Sequence, residues 1–193
     1  MADLFVDGFK NKEKYKKVII SIEQHNNNVK TWMADSYNSQ NEFYTLSGGY
    51  QIKFPYRVFF IDDNELYEEL SEEEKTIYDC IFTRHCDGYI REKHIRNILL
   101  KDFDDNCMPY ILRVTSEYVI KIVDLVYKKL ANRNNELFHK FCISNIQLVK
   151  KNYQRMVSYW NCFYRDKCFR FKNYVGGKLF KECFCPNVNF EKE

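Results

Sequence analysis

Glycine and proline are scarce in this 193-residue chain, with 6 Gly and 3 Pro. So few punctuating residues exclude collagen-like repeats, linker-rich arrays and many-turned all-β designs. The only glycine pairs are Gly48-Gly49 and Gly176-Gly177. Neither lies in a GxGxxG or GxxxxGK[ST] frame, so no phosphate-cradling loop or nucleotide cofactor site is expected. No apolar run approaches the roughly 20 residues of a membrane helix; the stretch from Ile120 to Leu130 is broken by Lys121, Asp124 and Lys128. The opening MADLFVDGFKNKEKYKK lacks the apolar centre of a signal peptide. These absences point to a cytoplasmic protein that does not engage a membrane. Its 8 Cys are then expected as reduced thiols used as small core residues.

What is present is a core-forming composition, 45% apolar and 30% charged, in a length that suits a single domain. The net charge of +3 is unevenly spread. Residues 1–130 carry 18 Lys+Arg against 22 Asp+Glu, whereas residues 131–193 carry 12 against 5. Such a dipolar particle can meet an acidic partner with its basic end.

Apolar periodicity organises the chain. Tyr15, Val18, Ile19, Ile22, Val29, Trp32 and Met33 recur at spacings of three and four, which predicts an N-terminal helical part within 1–37, weakened at Asn26-Asn27-Asn28. Residues 38–70 are punctuated by Gly48, Gly49, Pro55, Asp62, Asp63 and Asn64. This segment reads as irregular, with short extended pieces around 50–54 and 57–61, and long ordered loops of this kind often carry function. Ser71-Glu72-Glu73-Glu74 is a capping box. Helices are expected at 72–85, 89–100, 105–114, 117–131, 134–143, 145–164 and in part of 168–184.

The helical region 71–193 contains a self-match at a period of thirty. Ile81-Phe82 precede Asp87-Gly88-Tyr89-Ile90-Arg91, and Ile111-Leu112 precede Glu117-Tyr118-Val119-Ile120-Lys121. Each copy predicts a helix, a tight turn and a second helix, with the acidic residue capping the second helix. One such hairpin cannot bury its apolar face alone, so copies should stack. The segment Arg84-His85-Cys86-Asp87-Gly88-Tyr89-Ile90-Arg91-Glu92-Lys93 resembles the Asp-x-x-Val-Arg turn of HEAT repeats and the turn of uncharacterised bacterial HEAT-like proteins. Met108-Pro109-Tyr110-Ile111-Leu112 with its following turn resembles the next repeat, so the likeness covers about 71–131. It implies a mainly α fold of stacked antiparallel hairpins, a short α-solenoid. It also implies a structural ladder in which Arg91 and Lys121 reach the acidic residues of adjacent units, Asp87 and Glu117.

Reactive constellations are sparse. Cys80, His85, Cys86 and Cys183-x-Cys185 lack zinc-ribbon or HExxH spacing, so no metal is expected. His85 beside Cys86 is the one thiol–imidazole neighbour pair, without a glycine elbow or oxyanion frame. His94 follows Lys93 on an amphipathic helix and is expected to be exposed or to cap. The leading expectation is a non-enzymatic module that binds a protein partner; a toxin-neutralising, immunity-type protein is one concrete form. Its candidate contacts are Tyr50, Phe54, Tyr56, Phe59 and Phe60 in the irregular segment, with Arg84 and Tyr89 at the repeat turn. The alternative is a nucleic-acid-binding protein. Lys151, Arg155, Trp160, Arg165, Lys167, Arg170 and Lys172 interleave bases with aromatics, as a phosphate-and-base contact requires.

Overall fold

The computed structural model describes residues 12–26, 43–131, 135–185, 188 and 190. The chain is mainly helical and divides into two compact units, Met1–Asn106 and Cys107–Glu193. The first unit carries 14 Lys+Arg against 20 Asp+Glu and the second 16 against 7, so the charge asymmetry follows the division.

The first unit contains α1 (Lys12–His25), a hairpin of β1 (Phe43–Thr45) and β2 (Gln51–Lys53), α2 (Asn64–Glu69), α3 (Glu72–Phe82) and α4 (Gly88–Leu100). Helix α1 buries Tyr15, Val18, Ile19 and Ile22, the face read from the sequence. It ends where the asparagines begin. The Asn26 side chain donates to the Ile22 carbonyl at 2.8 Å and accepts from the Ile61 amide at 2.7 Å. The remainder of the predicted 1–37 helical part lies outside the described residues.

The β1–β2 ladder pairs Tyr44 with Ile52 and turns through Gly48 and Gly49, with φ of 84° and 81°. Side chains rarely adopt that region, so glycine is required there. Helix α2, unforeseen from the sequence, is capped by Asp63, which accepts from the amides of Glu65 and Leu66. Both halves of the Ser71/Glu74 capping box form. Lys17 on α1 contacts Glu74 at 2.7 Å. That contact and the Ser71 amide hold the Glu74 carboxyl down at about 2.

The second unit contains α5 (Met108–Thr115), α6 (Ile120–Leu130), α7 (Glu136–Ser144), α8 (Ile146–Phe163), a 3-10 turn (Phe171–Asn173) and α9 (Val175–Lys178), which runs into a π-helical turn at Leu179–Phe184. Buried Asn152 on α8 accepts from the Ser116 hydroxyl at 2.7 Å, fixing the end of α5. Phe138 on α7 stacks on Phe184 with centroids 4.7 Å apart. Gly176 allows close packing: a Cβ there would lie 2.8 Å from Met156 Sδ and 2.6 Å from the Tyr174 ring.

The two sequence copies thus become α3–turn–α4 in the first unit and α5–turn–α6 in the second. Their turns differ. Asp87 caps α4 as expected, accepting from the Tyr89 amide at 2.7 Å. Glu117 does not cap α6, which begins three residues later at Ile120 without a side-chain cap; Glu117 is buried instead. Arg91 is fully buried and donates through Nη1 to the His85 and Cys86 carbonyls at 2.7 and 2.8 Å. It therefore braces its own turn, whereas Lys121 is exposed. Removing a buried guanidinium that satisfies two carbonyls should cost about 1–3 kcal/mol. Arg91→Ala should lower the chemical denaturation midpoint accordingly; an unchanged midpoint would contradict the bracing role.

Candidate functional site

The turn between α3 and α4 is tied to the 55–60 segment by backbone and side-chain hydrogen bonds. Residue Val58 forms a parallel bridge with His85, its amide donating to the Arg84 carbonyl at 2.9 Å and its carbonyl accepting from the Cys86 amide at 3.0 Å. Arg84 is fully buried and donates to the carbonyls of Pro55 and Tyr56. Its guanidinium also lies over the rings of Phe54 and Tyr56, at 5.7 and 6.0 Å. His85 Nε2 meets the Phe60 carbonyl at 2.9 Å, and its Nδ1 accepts from the Asp87 amide at 2.9 Å. That pattern assigns the proton to Nε2 and leaves the ring neutral. Burial accordingly pushes the His85 pKa down. Cys86 Sγ is 3.9 Å from Nδ1, which already accepts a backbone hydrogen bond. The imidazole is committed to the turn, so the Cys86–His85 neighbours do not make an activated thiol.

One turn along α4 lies a buried charge cluster that the sequence did not reveal. His94 is fully buried, not exposed or capping as expected. Its Nδ1 contacts Asp79 Oδ1 on α3 at 2.7 Å, and its Nε2 lies 3.0 Å from Asp62 Oδ1. Asp79 also accepts from the Tyr67 hydroxyl at 3.1 Å and from Asn97 Nδ2 at 3.0 Å. Lys93 reaches Asp62 Oδ2 at 2.6 Å, and the Asp63 amide donates to the Tyr78 hydroxyl at 3.0 Å. Burial works against a charged His94, but hydrogen bonds and the charges of Asp62 and Asp79 outweigh it and raise its pKa. Burial likewise opposes an ionised Asp62, yet His94 and Lys93 hold that carboxyl well below its ordinary range. The signal in the sequence was Asp79 itself, an acid inside the run Ile77-Tyr78-Asp79-Cys80-Ile81-Phe82. The cluster, with the ties of the turn, fastens the 55–63 segment to α3 and α4.

The ties fix which side chains reach solvent. Val58 and Phe60 point inward, while Phe59 and Ile61 are 40% and 53% exposed, the alternation of an extended strand. Tyr50 and Tyr56 are exposed, and Tyr89, in the first turn of α4, is 80% exposed. Three predicted contacts are withdrawn from the surface. Phe54 is buried in a stack on Tyr44 at 5.4 Å, Phe60 is buried beside Phe82, and Arg84 is buried against backbone carbonyls.

In the second unit the basic–aromatic region separates into two parts. Lys151 and Arg155 are half-buried along α8. Trp160 is also half-buried; its indole donates to the Cys168 carbonyl at 2.9 Å and its ring packs edge-on to Phe171. Arg165, Lys167, Arg170 and Lys172 are exposed in the segment that follows α8. The eight cysteines are free thiols, and no group of metal-ligating side chains occurs among the described residues. No helix among them is long and apolar enough to cross a membrane.

No protein-family model matches the sequence, and no curated protein or solved structure matches it.

The charge cluster gives a signed pH dependence. His94 binds its proton more tightly folded than unfolded, so its contribution is complete below the ordinary value of 6.5 and is lost as pH rises through the higher folded value. Asp62 is depressed, so its contribution is present above 3.8 and is lost in acid. His85 acts oppositely to His94, its contribution fading as pH falls below 6.5. The melting temperature should therefore fall on the alkaline side of 6.5 in the native protein, and His94→Gln should flatten that fall. Parallel profiles for the two proteins would contradict the buried imidazolium.

Proposed function

We propose that the first unit is a protein-binding module whose contact surface centres on Tyr89, with Tyr50, Tyr56, Phe59 and Ile61 around the same tied segments. The observation that carries this reading is Tyr89. A tyrosine 80% exposed stands on a turn held by Asp87, His85 and Arg91. Tyrosine joins a large apolar face to a polar tip at low entropic cost, which is why it recurs at interface hot spots. The turn's backbone is already ordered, so binding would not have to order it. An excess of six acidic residues in this unit favours a partner with a basic face. Buried Asp79, His85 and His94 and half-buried Asp62 are engaged in structural ties, which favours binding over acid–base catalysis. A toxin-neutralising protein is one form this module would take.

We also read α3–turn–α4 and α5–turn–α6 as HEAT-like hairpins, a reading supported by their matching helix–turn–helix order and by the Asp87 cap.

Affinity capture from a native lysate with the whole chain as bait tests the binding surface. Tyr89→Ala combined with Phe59→Ser should abolish retention of the captured protein, because a central aromatic is typically worth about 2 kcal/mol or more. Both side chains are exposed, so the melting temperature should move little. Retention undiminished in the double variant would overturn the assignment.

A further inference from the structure

Phe169 is 76% exposed and Phe163 is 59% exposed, and the segment between and after them carries four exposed cations, Arg165, Lys167, Arg170 and Lys172, with Asp166 as the single acid. An exposed phenylalanine among charges is not explained by the packing of the second unit, whose core is formed by other residues. The segment is nevertheless shaped. The Lys167 and Cys168 amides donate to the Tyr164 carbonyl at 3.1 and 2.8 Å, and the Trp160 indole holds the Cys168 carbonyl at 2.9 Å. The Arg165 guanidinium lies 5.9 Å from the centroid of Phe169 and 6.0 Å from that of Trp160, while its Nη1 donates to Asn161 at 2.9 Å. Tyr164 stacks on Tyr174, and its hydroxyl donates to the Tyr118 carbonyl, anchoring the start of the segment.

We propose that residues 163–172 form a binding site for single-stranded nucleic acid, with Phe169 stacking on an unpaired base and Arg165, Lys167, Arg170 and Lys172 contacting the adjacent phosphates. This site lies in the second unit and is independent of the protein-binding surface on the first. The chemistry favours this ligand for three reasons. The cations are spread along the chain to either side of a ring, as a charged backbone with lateral bases requires. A ring offers sequence-tolerant stacking only to a base that is not already stacked in a duplex, so single strands are preferred. The unit as a whole carries 16 Lys+Arg against 7 Asp+Glu, which draws in a polyanion over a distance. The carboxylates of an acidic protein would supply the charge complement but offer no stacking face to Phe169.

The test uses the full chain and a fluorescein-labelled oligothymidylate of about 20 nucleotides, followed by anisotropy at several salt concentrations from about 50 mM upward. The site predicts binding that weakens with salt, with a logarithmic slope of about −3 for four phosphate contacts at roughly 0.7 each. Phe169→Ala should weaken binding about tenfold or more while leaving that slope unchanged. Arg165→Gln, Lys167→Gln, Arg170→Gln and Lys172→Gln together should remove the salt dependence. These side chains are exposed, and an unchanged circular dichroism spectrum certifies the fold. A duplex of the same length should bind more weakly and respond less to Phe169→Ala. Absence of salt-sensitive binding, binding indifferent to both variants, or adsorption to phosphatidylserine vesicles without binding to the strand would each overturn the proposal.

Discussion

A charged imidazole inside a protein must be met by negative charge, and the first unit is built around that requirement. His94 sits between Asp79 on α3 and Asp62 on the segment leading into α2. Taking an unpaired ion out of water costs several kcal/mol even after relaxation, so neither carboxylate nor imidazolium is tolerable there alone. The pairing therefore fixes three pieces of chain at once: α3, α4 and the 61–63 approach. Tyr67 and Lys93 occupy the remaining oxygen of Asp79 and of Asp62, and Asn97 shares Asp79 Oδ1 with His94. The apolar walls are the rings of Tyr67, Tyr78 and Phe82, with centroids 6.2, 5.6 and 5.0 Å from the His94 ring.

The same economy operates in the adjoining turn, where the buried polar groups serve backbone instead of one another. Arg84 donates to carbonyls of the 55–56 segment, His85 donates to the Phe60 carbonyl and accepts from the Asp87 amide, and Arg91 donates to the His85 and Cys86 carbonyls of the turn itself. Irregular backbone carries donors and acceptors that no helix or sheet ladder satisfies. Three long or bifunctional side chains supply what secondary structure does not. The consequence for function is positional. Phe59, Ile61 and Tyr89 are outward because their neighbours Val58, Phe60, Arg91 and His94 are held inward.

Local signals are legible in the sequence. The Ser71/Glu74 box, the Asp87-Gly88 start of α4, the Tyr15–Ile22 face and most helix positions from 72 to 163 depend on contacts within a few residues, and pattern reveals those. Partners 10 to 32 positions away are not legible in it. Phe54 and Phe60 look like loop aromatics until Tyr44, Phe82 and Arg84 are placed beside them. His94 looks like a surface residue beside Lys93 until Asp79 and Asp62 converge on it. The short α2 was hidden because Asp62-Asp63-Asn64 reads equally as a turn or as a helix cap, and only the Asp63 geometry decides. The period of thirty correctly located two hairpins, yet similar letters did different work: Asp87 caps its helix, while Glu117 is buried before its own. Charge showed the trend but not the boundary: composition reads an acidic stretch up to residue 130 and a basic one after it, whereas the two units divide after Asn106.

The protonation state of the two buried histidines bears most directly on this account. Nitrogen-15 chemical shifts of the imidazole rings, recorded at pH 6.5 where an ordinary histidine is half protonated, distinguish them. In the same sample His94 should be more than half doubly protonated, and His85 should be more than half neutral with its proton on Nε2. A singly protonated His94, or two rings titrating together as solvent-exposed histidines do, would contradict it.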